Sequence, residues 1–208
     1  MIDRLPRRFR FGFARADEAA VEPGSGPEHV PFIAYGEDCI VTGHTILDAD
    51  RLTDMLNLHD EYDLADVSVE RFDDGEPIEI PEISVARDEI ILVQATGPRG
   101  DELRRHRTMP QHLALQMGPY RVRGFFHALP GADPVVALRR RKTMVPLTDA
   151  RIEYTIRGEQ RETSVDTVIV NRDQIDWVQE LMPTAKEFPQ APAPARLVTK
   201  PARRAAAS

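Results

Sequence analysis

The sequence predicts a mainly β protein with short helices, built from two tandem five-stranded units, each a small β-barrel or half-open sheet. Three observations predict it. Short runs rich in Val, Ile and aromatic residues alternate with polar residues, glycines recur inside those runs, and the whole pattern occurs twice at a nearly constant separation.

The repeat fixes the elements in order. Ile40-Val41-Thr42-Gly43 lies over Arg121-Val122-Arg123-Gly124, and Leu64-Ala65-Asp66-Val67-Ser68-Val69-Glu70 lies over Leu147-Thr148-Asp149-Ala150-Arg151-Ile152-Glu153. Further on, Gly75 matches Gly158, Ser84 to Ile90 match Ile169 to Ile175, and Val93 meets Val178, so the offset grows from 81 to 83 to 85 through short insertions. A first strand (residues 30–35 and 112–117) ends at Gly36 or Gly118. A second (39–47 and 120–129) carries Gly43 or Gly124, and a glycine inside a strand marks a bend or bulge of the kind a curled sheet needs. A helical turn follows at 50–57 and at 133–142, the latter with Asp133 as N-cap and Pro134 at the first helical position. Next comes a long strand (62–72 and 143–156), in which Val67 and Val69, or Ile152, Tyr154 and Ile156, alternate as in a sheet with one wet face. Two more strands, joined through Arg87-Asp88 or Arg172-Asp173, complete each unit.

The implied divisions are an arm (1–27), a first unit (28–96), a linker (97–110), a second unit (111–182) and a tail (183–208). The Pro/Ala-rich basic tail lacks apolar periodicity, which predicts disorder.

Charge divides the chain in the same places. The net charge of −7 conceals 18 acids against 3 bases in residues 28–96, whereas 111–182 hold 9 acids and 10 bases; arm, linker and tail are each mildly basic. With no apolar run of about 18 residues and no apolar segment after the basic start, neither a membrane span nor a secretory signal is expected, and a cytoplasmic protein is. Cys39, the one cysteine, falls in an apolar strand pattern and reads as a small buried hydrophobe.

Over residues 30–95 and 112–180 the strand order and compact five-stranded unit resemble the Sm-like small β-barrels. Sm-like proteins carry their helix ahead of the first strand, whereas here it falls between the second and third, and no Sm RNA-binding motif is present. The sequence also resembles PilZ domains in two fragments. Arg4 and Arg8 have the spacing of the arginine arm, and Asp66-Val67-Ser68 begins the Asp-x-Ser-x-x-Gly strand, with Arg71 where the glycine belongs. These resemblances imply a nucleic-acid-binding or cyclic-dinucleotide-binding regulator as the alternative function.

The residues themselves point elsewhere. No HExxH, GxSxG, P-loop or GxGxxG occurs, so no catalytic set, cofactor or metal is predicted. Asp66 and Asp149, matched by the repeat, are either a carboxylate pair meeting across a pseudo-twofold axis or turn-forming residues of the unit. The acids Asp60, Glu61, Asp63 and Asp66 form a solvated face suited to a basic partner. Arg139, Arg140, Arg141 and Lys142 supply such a surface, within the chain or between subunits. Nucleic acid is disfavoured because the acidic half repels it and aromatic residues for stacking are scarce near the basic run. In the arm, Phe9, Phe11 and Phe13 alternate with arginines, as in a strand that covers a sheet edge or docks on another protein. The expected function is therefore a non-enzymatic protein–protein interaction or scaffold module, self-associating or binding a protein partner, with no membrane partner.

Overall fold

The computed structural model describes residues 28–73, 75–98 and 107–181. The predicted arm, the middle of the linker and the tail, with the arm's Arg4, Arg8, Phe9, Phe11 and Phe13, lie outside the described residues. Within them the chain runs β1 (Glu28–Tyr35), β2 (Cys39–Leu47), α1 (Leu52–Leu56), β3 (Glu61–Arg71), β4 (Pro77–Ala86) and β5 (Leu92–Gln94). It continues with β6 (Met109–Met117), β7 (Tyr120–Ala128), α2 (Pro134–Arg139), β8 (Met144–Ile156), β9 (Glu159–Asn171) and β10 (Trp177–Glu180). The fold is mainly β, as expected.

The barrels are not formed. All ten strands join one antiparallel sheet in the order β10-β6-β7-β8-β9-β5-β1-β2-β3-β4. Closing the first half on itself would require β4 to pair with β5. That short strand is already bonded on both sides, to β1 and to β9, so among the described residues β4 is left as an open edge at one end and β10 at the other.

The glycines inside strands act as the sequence suggests. The β2–β3 ladder slips between Thr42 and His44, and the β7–β8 ladder between Arg123 and Phe125, around Gly43 and Gly124. A Cβ on Gly43 would stand 3.0 Å from the Ala65 carbonyl oxygen, and one on Gly124 3.2 Å from that of Thr148. A side chain at either place would have to push a backbone carbonyl aside by a few tenths of an ångström, which glycine avoids. Beside each slip an aspartate takes a left-handed backbone, Asp66 at φ 51° and Asp149 at φ 48°, a conformation that Asp tolerates better than most residues. The two aspartates are thus backbone features of the kink. They sit on strands five places apart in the sheet, and the expectation of a carboxylate pair is not met.

The hydrophobic core has two clusters, and both halves of the chain contribute to each. The first gathers Phe32, Val41, Leu64, Val69 and Val85 and also takes Met144 and Ile169; the second gathers Leu115, Val122, Leu147 and Ile152 and also takes Tyr35, Ile40 and Leu92. Within the second, Tyr35, Tyr120 and Tyr154, with Phe72 packed against them, form a ring cluster that joins the two halves of the chain, Tyr35 and Tyr120 edge to face at 5.5 Å and Phe72 stacked on Tyr154 at 6.1 Å.

Candidate interaction surfaces

The basic surface begins with a cap. Asp133 accepts a 2.9 Å hydrogen bond from the Val136 N–H, Pro134 fills the first turn, and buried Leu138 anchors α2. The helix packs on β7 and on the edge strand β10. Arg139, Arg140, Arg141 and Lys142 emerge at its C-terminal end, where positive charge also suits the helix dipole, and all four are exposed. Arg141 is held locally: it donates to the His127 carbonyl at 3.0 Å, and its guanidinium lies 5.7 Å from the Phe126 ring centre. Arg172 donates to the carbonyls of Arg139 and Arg141, which stiffens the turn that presents the run. Arg139, Arg140 and Lys142 make no ion pair among the described residues.

The acidic surface lies beside the other free edge. Alternation on β3 turns Tyr62 and Leu64 inward and leaves Glu61 and Asp63 exposed, next to the edge strand β4. Asp60 precedes them and pairs with Arg87. Asp66 is exposed at the left-handed kink. Among the described residues no ion pair joins this group to the basic run, so contact between the two surfaces within the chain is not formed. Other acids are already occupied: Asp54 by Arg51 at 2.8 Å, and Asp48 by His59 at 2.7 Å.

The remaining chemistry-bearing side chains are held within the fold. Cys39 is buried, and burial pushes its thiol up, which keeps it protonated and unreactive at neutral pH. His127 stands between Thr148, at 2.9 Å, and Thr108. His112 stacks on Phe125. No group of three or more His, Cys, Asp or Glu among the described residues is placed to hold a metal ion. In the PilZ-like fragment Val67 is core and Ser68 donates to Glu79, while Arg71 pairs with Asp73. No described helix is long and apolar enough to cross a membrane.

Two residues passed over in the sequence join the halves. Asn171, buried, donates through its side chain to the carbonyls of Ile90 and Arg87 and accepts from the Asp173 N–H. Asn57, the C-cap of α1, holds both the N–H and the carbonyl of Met144 at 3.0 and 2.8 Å, as a neighbouring strand would. An asparagine at a helix end is a signal; nothing in the sequence tells that its partner lies 87 residues away. Compared with protein-family models, curated proteins and solved structures, the chain matches none, so the functional reading rests on this geometry.

Proposed function

We propose that the protein is a non-enzymatic protein–protein interaction or scaffold module, made by duplication of a five-stranded unit, that works by contact between its acidic and basic surfaces. The observation that carries this reading is the pair of unsatisfied surfaces bordering the two free sheet edges. Glu61, Asp63 and Asp66 lie near one; Arg139, Arg140 and Lys142 lie near the other. Exposed like charges repel one another and reward a counter-surface.

Duplication is supported by coincident registers. Tyr35 opposite Ile40, Thr42 opposite Ser68 and Tyr62 opposite Val85 recur as Gln116 opposite Arg121, Arg123 opposite Arg151 and Val145 opposite Val170. The kinks at Asp66 and Asp149 recur with them.

Analytical ultracentrifugation of the wild type and of a variant with Arg139, Arg140, Arg141 and Lys142 all changed to Glu, across a salt series, tests the proposal. The expected outcome is association that weakens toward ~1 M salt, where the screening length is about 3 Å. The charge reversal is expected to weaken it roughly tenfold or more at low salt. Association that ignores both salt and the reversal would remove the electrostatic basis. Titration with a short RNA and with a cyclic dinucleotide tests the alternative function in the same samples.

A further inference from the structure

We infer that the partner is a second copy of this chain, joined head to tail: β10 of one copy pairs with the free edge of β4 of the next, and the basic 139–142 run seats over the acidic start of β3. The inference rests on the interaction reading above and names its partner.

One such joint already exists inside the chain. β5, the fifth strand of the first half, pairs antiparallel with β9, the fourth strand of the second: Leu92 lies opposite Val170, Val93 opposite Ile169 and Gln94 opposite Val168. The strands left with an open edge are again a fourth strand, β4, and a fifth strand, β10. The ends of the molecule thus offer the two components that its middle has joined. Because the other ladders recur at offsets of 81, 83 and 85, the register between copies can be written down. Val178 would lie opposite Ser84, flanked by Trp177 opposite Val85 and Gln179 opposite Ile83. Trp177, 41% exposed, occupies the place that fully buried Leu92 holds inside the chain.

The free edge of β4 has the backbone donors for this. At the internal joint the Asn171 N–H donates to the Ile91 carbonyl and the Ala95 N–H to the Thr167 carbonyl, at 2.9 and 3.0 Å. The counterparts of Asn171 and Thr167 are Ala86 and Glu82. Arg87 donates its N–H to Asp60, so Val85 and Ile83 point their N–H groups toward β3 and Ala86, Ser84 and Glu82 point theirs outward. The strand's two prolines, Pro77 and Pro81, lie before this stretch, so Glu82, Ser84 and Ala86 keep their outward donors.

Charge completes the match. Asn57, C-cap of α1 at φ −94°, ψ −7°, grips Met144, the first residue of β8. The C-cap of α2 is Arg140, at φ −90°, ψ −5°, and the counterpart of Met144 is Glu61, the first residue of β3. The joint that inside the chain sets an asparagine on a methionine backbone would, between copies, set Arg140 beside Glu61, with Asp60 and Asp63 adjacent. Ser84 replaces fully buried Ile169, so the joint between copies buries less apolar surface and is weaker and more salt-sensitive than the one within. Such a contact is heterologous: repeated, it closes into a ring or extends as a filament.

Disulfide trapping between full-length chains tests this. Ser84→Cys is made in one preparation and Val178→Cys in another; a hydrogen-bonded antiparallel pair sets its Cα atoms about 5.5 Å apart, within disulfide range. Mild oxidation of the mixture is expected to give a cross-linked dimer, roughly tenfold above either variant alone, since each alone lacks its partner cysteine. Glu82→Cys in place of Ser84→Cys shifts the register by two residues and is expected to give no more than the single variants. As a second readout, Ser84→Pro deletes an outward N–H without a β3 bond and should leave monomers with unchanged circular dichroism. The inference is overturned if either variant alone cross-links as well as the mixture, if a chain carrying both cysteines closes within itself, or if the mixture stays unlinked. An unlinked mixture beside salt-dependent association of the wild type sinks the head-to-tail joint alone; absence of association at every salt sinks the interaction reading as well.

Discussion

Gly43 and Asp66 together make the bend that gives the first half its shape. The strand register slips where Gly43 meets the Ala65 carbonyl, and Asp66 absorbs the extra residue by turning left-handed. A methyl group at position 43 would push on a backbone oxygen at 3.0 Å and on Val67 at 3.1 Å, neither of which is the loose end of a long side chain. Gly43→Ala is therefore expected to cost about 1–3 kcal/mol, measured as a shift in the urea midpoint. Asp66→Asn keeps the tolerance for the left-handed region and should stay within about 0.5 kcal/mol of wild type. Equal costs for the two would show that the slip depends on something other than the close approach.

The joint between β5 and β9 is the element on which the continuous sheet depends, and it is short. Three facing pairs and two flanking backbone bonds are few for holding two five-stranded halves, so side chains reinforce them. Asn171 satisfies two carbonyls of the β4–β5 connection, and Asn57 closes the far side on Met144. Asn171→Ala leaves the buried Ile90 carbonyl without that donor, while the Arg87 carbonyl keeps the Ile90 N–H, at a cost of about 1–3 kcal/mol. Faster hydrogen exchange at Leu92, Val93 and Gln94, beyond that of β2 and β7, is the expected signature, because local opening at the joint precedes global unfolding. Uniform acceleration across the sheet would mean that the halves do not separate at this joint.

At the scale of the whole molecule, burial of ionisable groups predicts a loss of stability in alkali. Burial raises the Cys39 thiol above its ordinary 9.0 and the phenols of Tyr62 and Tyr120 above 10.0. An acid whose folded pKa is raised favours the native state fully below its unfolded pKa, and that contribution is lost as pH climbs from there toward the folded value. Stability is thus expected to hold near neutrality and to fall steadily above about pH 9. Thermal denaturation from pH 7 to 11 checks this. Tyr120→Phe should flatten the alkaline fall while lowering neutral stability, because the hydroxyl donates to the Gly36 carbonyl across the two halves. A fall of unchanged steepness in that variant would assign the effect to Cys39, Tyr62 and Tyr35, whose phenol burial also raises.

Alternation of side chains, the glycine kinks, the Asp133 cap and the repeated order of strands were legible in the sequence, because each is local: a period of two, a missing Cβ and a capping oxygen act within a few residues. The charge division was legible for the same reason, and it placed the two surfaces, although not their partners. Only the tertiary structure decided which edge each strand would seek. Whether β5 accepts β4 of its own half or β9 of the other depends on how Met144, Ile169 and the four-ring cluster fill the space between halves, and on an asparagine 84 residues from the carbonyl it serves. Such contacts compete at long range with alternatives of similar local quality. That competition left the described residues with one open sheet and two unpaired edges where the pattern of short strands predicts two small barrels or half-open sheets.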